Sequence, residues 1–159
     1  MHKTKNDLAE GTRTKIVTLL NATLADAIDL MLRSKQAHWN VKGPSFIALH
    51  ELFDKIHTDA AEYVDLIAER AVTLGGVAEG TLGHVVKRTT LGEYPAAATD
   101  QKDHIEALSS SLASFGKVAR RAIDEAAELR DADTADLYTE ISRGVDKWLW
   151  FVEAHAQGK

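Results

Sequence analysis

Apolar residues recur along most of this chain every three or four positions, the period of an amphipathic helix. Ile16, Leu20, Leu24, Ile28 and Met31 form the first stripe and predict a helix over about 12–41. His38 continues that stripe seven residues beyond Met31. Gly43 suits a helix end, Pro44 cannot continue a helix interior, and Ser45 is a candidate N-cap. A second helix is predicted over about 46–74, on Phe46, Leu49, Phe53, Ile56, Ala60, Tyr63, Val64, Ile67, Ala71 and Leu74. A third, over about 100–129, carries Ile105, Leu108, Leu112, Phe115, Val118 and Ile123. The fourth, over about 134–155, carries Leu137, Ile141, Val145, Trp148 and Val152.

The first and last connections are short and make antiparallel hairpins. The middle one, about 75–99, is long enough to cross a bundle and to hold a short helix of its own. The predicted fold is therefore all-α: a ferritin-like four-helix bundle with one long crossover, spanning 13–156 behind a short tail at 1–12. The alternative is a simple up-down bundle with a structureless central loop.

Composition narrows the chemistry. The 159 residues are 45% hydrophobic with only 10 Gly and 2 Pro, which fits one compact domain and excludes a turn-rich β-sandwich. There is no cysteine, so disulfides, thiolate metal sites and thiol nucleophiles are excluded, and any metal falls to His, Asp or Glu. No run approaches a membrane span and the N-terminus lacks a signal-peptide core, which points to the cytoplasm. The net charge of −5 argues against a surface devoted to nucleic acid, although Lys3, Lys5, Arg13 and Lys15 outnumber Asp7 and Glu10 near the N-terminus.

The second predicted helix carries an unusual flank. With Phe46 at 0°, His50, Asp54, Asp65 and Glu69 fall at roughly 40°, 80°, 100° and 140°, interleaved with Ala61, Ala68 and Val72. Small and apolar neighbours there imply a second buried surface. Asp54 and Asp65 are ~16 Å apart along the axis, so one chain cannot bring both pairs to one ion. Two copies of the helix, antiparallel about a two-fold near residues 59–60, place His50 and Asp54 against Asp65 and Glu69 of the partner subunit. His38 completes each site, and His57 lies close to the two-fold. Two imidazoles and three carboxylates suit redox-active non-haem iron, with zinc a competitor. The other reading makes these residues interfacial ion pairs and hydrogen-bonded histidines. His50-Glu51-Leu52-Phe53-Asp54 lacks the second His of a zinc-protease motif, and no E-x-x-H pair of a bundle-centred di-iron site occurs. His2, His84, His104 and His155 show no partners in sequence and are assigned no chemistry.

The segment KQAHWNVKGPSFIALHELFDKIHTDAAEYVDLIAERAVTLGG, residues 35–76, resembles the signature of the Dps family, the mini-ferritins named as DNA-binding proteins from starved cells. Similarity extends to TKNDL near the start and DADTADLYTEISRGVDKWLWFVEAH near the end. The resemblance implies a hollow homo-dodecamer with ferroxidase sites at two-fold interfaces. By motif, His38, His50 and Asp54 of one chain would join Asp65 and Glu69 of another, oxidise Fe2+ with hydrogen peroxide and feed a stored ferric mineral. Trp39 would be an oxidisable neighbour, or simply pack at the helix end. Asp133 and Asp136 would line an acidic iron-entry pore, with Asp133 also a candidate cap of the fourth helix.

DNA contact is the weak part of the resemblance. No long basic tail precedes TKNDL, and twelve copies at −5 each carry a formal charge of −60. Binding would rest on Lys3, Lys5 and Lys159 repeated around the shell. Three readings follow: a peroxide-dependent ferroxidase and iron store that protects DNA chemically, a nucleoid-associated protein that shields DNA physically, and a structural bundle with vestigial ligands.

Overall fold

The computed structural model describes residues 1–157, and among them five helices and no strand. They are α1 (Glu10–Asn40), α2 (Phe46–Thr73), α3 (Leu82–Arg88), α4 (Gln101–Glu128) and α5 (Ala132–Gln157). α1 and α2 form one hairpin, α4 and α5 the other. The hairpins meet where α1 lies on α4 and α2 on α5. The apolar stripes face inward: Leu20, Leu24, Phe53, Ile67, Leu108, Phe115, Ile141 and Val145 are fully or almost fully buried. Phe46 departs from its predicted stripe. It is 40% exposed, because α2 begins there and its first turn overhangs the end of the core.

The crossover returns the chain to the end of the bundle where it left α1. The Lys42 N–H donates to the Thr99 carbonyl at 2.8 Å and the Gln101 N–H to the Lys42 carbonyl at 3.0 Å, so α4 starts beside the α1–α2 turn. α2 and α4 therefore run parallel. Gly43, at φ +137°, makes that turn, and a Cβ there would lie 2.7 Å from Gln101 Oε1. Ser45 makes no side-chain cap; its N–H instead donates to Gln101 Oε1.

Polar side chains of α1 hold the crossover along its length, which excludes the alternative of a structureless loop. Asn21 bonds the Val77 carbonyl and the Glu79 N–H, both at 2.9 Å. Buried Asp26 accepts from the Thr90 N–H at 2.6 Å. Burial raises its carboxyl above the ordinary value, against the opposing bonds from Thr89 and Thr90. The Arg33 guanidinium, paired with Asp29 at 2.8 Å, donates to the Leu91 carbonyl at 2.6 Å. Each of these bonds satisfies a crossover main-chain group that helix or sheet pairing would otherwise serve.

The second hairpin turns at Arg130, a non-glycine residue at φ 60°. Asp131, not Asp133, caps α5: its carboxylate accepts from the Thr134 N–H at 3.1 Å and the Thr134 hydroxyl at 2.6 Å. α5 begins one residue earlier than Asp133, which puts Asp133 inside the first turn.

Candidate functional site

Helix geometry and one short turn build the site. His38 sits in the last turn of α1, and α2 doubles back along α1 to bring His50 and Asp54 beside it. The His38 Nδ1–H donates to the His50 carbonyl at 2.7 Å, and the His50 Nδ1–H donates to the His38 carbonyl at 2.8 Å. A carbonyl can only accept, so each Nδ1 must carry the proton. In the neutral ring, Nε2 is then left with its lone pair, the form that binds a metal. The rings stack at 3.7 Å between centroids and 23° between planes.

Asp54 Oδ1 takes the ammonium of Lys35, which reaches across from α1. That bond holds the Asp54 carboxyl below the usual carboxylate range; partial burial opposes it, and the charges of His38, Lys35 and His57 reinforce it. A cleft of about 610 Å³ opens in front of these groups, bordered also by Asp59, Lys147 and Trp148. The Trp148 indole N–H donates to Asp59 Oδ2 at 2.8 Å, and the Lys147 ammonium lies 4.5 Å from the Trp148 ring centre. This end of the cleft is thereby fixed.

Asp65 and Glu69 lie farther along α2, exposed and without a hydrogen bond or ion pair to any described residue. Glu69 borders a shallow pocket of about 360 Å³ with Ala68, Val72, Thr73 and Ala78. Val72 in its lining is more than half exposed. The five predicted ligands thus fall into two groups on one chain. Among the described residues, no three His, Asp or Glu side chains gather closely enough to hold an ion.

The remaining predicted residues are scattered. Trp39 is 67% exposed and borders a different groove, with Leu32, Gln36 and Tyr94, although its sequence neighbour His38 lines the cleft. Consecutive helical residues point about 100° apart, which is why adjacency in sequence does not carry Trp39 into the cleft. Asp133 and Asp136 are exposed on the first turns of α5. Asp133 stands 3.6 Å from Arg70, whose guanidinium is engaged by buried Asp131 at 2.7 Å and by the Thr134 hydroxyl at 2.9 Å. Lys3 and Lys5 are exposed in a tail that is tied down by a main-chain bond from His2 to Gly75; Lys159 lies outside the described residues.

Sequence reasoning missed Lys35, Asp59 and Trp148 as neighbours of the site. Lys35 had a signal: it stands three residues before His38 on the same helical face. Trp148 reads equally well as core, and only its indole N–H reveals its bond to the cleft. His104 also gains a partner. It is fully buried, its Nδ1 is 2.8 Å from the Tyr94 hydroxyl, and its Nε2 has no hydrogen-bond partner among the described residues.

Comparison with known proteins agrees with this architecture. Residues 17–158 match the ferritin family, described as a ferritin-like domain. The DNA protection during starvation protein of Agrobacterium fabrum is 48% identical over 158 residues, covering 99% of this chain and 98% of that protein. The tetragonal form of Mycobacterium smegmatis Dps superposes with a TM-score of 0.92 at 32% identity, covering 99% of this chain and 98% of that one. Dps from Microbacterium arborescens, in its high iron form, superposes with a TM-score of 0.88 at 33% identity, covering 98% and 99%.

Proposed function

The chain belongs to the Dps family of ferritin-like proteins, and from that premise we propose that it is a ferroxidase and iron store. It oxidises Fe2+ to Fe3+ with hydrogen peroxide at sites shared between two subunits, and it keeps the ferric product inside a dodecameric shell. DNA is protected because iron and peroxide are removed together. The observation that carries this reading is the reciprocal His38–His50 pair, which frees two Nε2 lone pairs toward one cleft. The high iron form of the Microbacterium arborescens relative supports iron as the metal.

In this mechanism iron is the substrate. His38, His50 and Asp54 offer two neutral donors and one anion from one chain. Asp65 and Glu69 of the partner subunit offer two more anions, which stabilise the rise from Fe2+ to Fe3+ by adding negative charge. Two Fe2+ each give one electron, the O–O bond of peroxide breaks, and two protons complete two waters. Paired one-electron donors leave no hydroxyl radical. Asp65 and Glu69, exposed and unpaired among the described residues, with Ala68 and Val72 beside Glu69, fit a surface that a second subunit covers. Asp133 and Asp136, exposed at the start of α5, would draw cations to a pore between subunits.

The test is peroxide-dependent iron oxidation by the assembled protein and by His50→Ala and Glu69→Ala. Rates equal to wild type in both variants would remove the assignment. DNA shielding by direct contact is the second reading, favoured by exposed Lys3 and Lys5. Gel shifts across salt, with and without residues 1–5, decide it; absence of a shift at any salt removes it.

A further inference from the structure

The last part of the crossover, before α4, is tied to the bundle at both ends and at one point between. At its start the Leu91 and Gly92 carbonyls accept from Arg33. At its end the Thr99 carbonyl accepts from the Lys42 N–H. Among the described residues, 93–98 make one hydrogen bond to the rest of the protein, between the Tyr94 hydroxyl and His104 Nδ1 at 2.8 Å. This segment is also a wall. Glu93 and Pro95 border a cavity of about 390 Å³ against α4, with Asp103, Glu106 and Ser110. Tyr94 and Ala96 border another of about 390 Å³ against α1, with Leu32, Gln36 and Trp39. Arg33 lines both, so moving Tyr94 away joins them into one groove between α1 and α4.

The tie is made to a group that tolerates no charge where it stands. His104 is fully buried, and its Nε2 has no hydrogen-bond partner among the described residues. A neutral ring carries one proton, and the Tyr94 hydroxyl can serve Nδ1 in either tautomer. The imidazolium carries two. Nδ1–H then forces the hydroxyl to turn its own proton away, and Nε2–H stays buried without an acceptor. The charged groups about the ring are Asp100 and Asp103 on α4 and Arg33 on α1, whose guanidinium lies 5.9 Å from the Tyr94 ring centre. Burial holds the His104 pKa below 6.5, against the Ala98 carbonyl and the charges of Asp103 and Asp100. Tyr94 and Ala98 meet the ring from the crossover side, so lifting the segment admits water and supplies the missing acceptor.

We propose that the Tyr94–His104 bond is a proton-operated latch: residues 93–98 stay closed while His104 is neutral, and protonation of the ring opens them and joins the two cavities. The open form takes a proton near the ordinary histidine value of 6.5, the closed form only at lower pH. The segment is therefore held most tightly above that value. Below it the opening constant rises by up to about tenfold per pH unit, until the closed form is protonated as well. The latch does not depend on the iron reading, since neither Tyr94 nor His104 borders the His38–His50 cleft.

Hydrogen exchange of the assembled protein from pH 7.5 to 5 tests the latch, read as protection factors, which remove the intrinsic pH dependence of exchange. The buried Ala98 amide, bonded to the Pro95 carbonyl at 3.0 Å, reports the segment, and the amides of α2 report the fold. In wild type the Ala98 protection is expected to fall about five- to tenfold between pH 7.5 and 5.5 while that of α2 holds. His104→Gln, which cannot charge, is expected to show no fall. Tyr94→Phe keeps the ring and removes the bond; it is expected to lower Ala98 protection about fivefold already at pH 7.5. Wild-type protection at Ala98 that does not change with pH overturns the latch, and so does an undiminished fall in His104→Gln. A fall shared equally by α2 also overturns it, because the chain then opens as a whole.

Discussion

His38 and His50 hold each other by their backbones: each ring donates from Nδ1 to the other residue's carbonyl, at 2.7 and 2.8 Å. Neither ring can turn without freeing the other's carbonyl. The rings also stack at 3.7 Å between centroids, so loss of one removes the packing that holds the other and is expected to misplace both. His38→Ala and His50→Ala should each lower Fe2+ affinity about 10–100-fold, and the double variant should be little worse than either. A double-mutant cycle on metal binding checks this; additive losses would show that the rings act independently.

Lys35 competes with a metal for Asp54. Its ammonium lowers the Asp54 pKa, so the stabilisation from that pair is present above the ordinary carboxylate value of 3.8 and is lost as pH falls through the lowered folded value. In Lys35→Gln the Asp54 carboxyl should titrate at higher pH, followed by carbon NMR of the carboxyl group. An unchanged Asp54 titration would show that the contact does not form in solution.

His104 makes stability acid-sensitive. Burial lowers its pKa below 6.5, opposed by the Ala98 carbonyl and the charges of Asp103 and Asp100. The unfolded chain therefore binds a proton that the folded chain refuses. Stability is full above about pH 6.5 and declines as pH falls toward the depressed folded value. Thermal midpoints measured from pH 7.5 to 5 should fall in wild type and fall less in His104→Gln, which cannot charge. Parallel profiles would assign the acid sensitivity elsewhere. Tyr94→Phe leaves a second buried ring nitrogen unpaired and should cost about 1–3 kcal/mol.

Arg70 ties the two hairpins together one residue from Glu69. Its partner Asp131 is 2% exposed, so removing the guanidinium strands a buried carboxylate. Arg70→Ala should destabilise the fold by about 3–5 kcal/mol. Arg70→Lys should recover little, because one ammonium cannot serve Asp131 and Thr134 with the geometry of a planar fork. Denaturant unfolding of both variants measures this, and a fully rescued lysine variant would contradict the fork argument.

The helices were legible in sequence because a long amphipathic helix repeats one simple rule over many turns. Ile16 to Ile28 and Leu49 to Ile67 obey it, and those residues lie in the core. The rule weakens at helix ends, where a few residues decide. There Phe46 turned outward, Ser45 gave up its cap to Gln101, and Asp131 rather than Asp133 capped α5. The candidate ligands were legible by spacing along α2, since axial rise is fixed by helix geometry.

The amino-acid sequence by itself determined the helical class, the absence of thiolate chemistry and the division of His50, Asp54, Asp65 and Glu69 into two groups too distant for one ion. Each follows from residue type and one-dimensional periodicity. Only the tertiary structure decided the tautomers of His38, His50 and His57, the engagement of Asp54 by Lys35, the exclusion of Trp39 from the cleft and the pairing of His104 with Tyr94. Those depend on which carbonyl or charge of another helix stands opposite a side chain. That is set by the register of packed helices, which no spacing within a single helix contains.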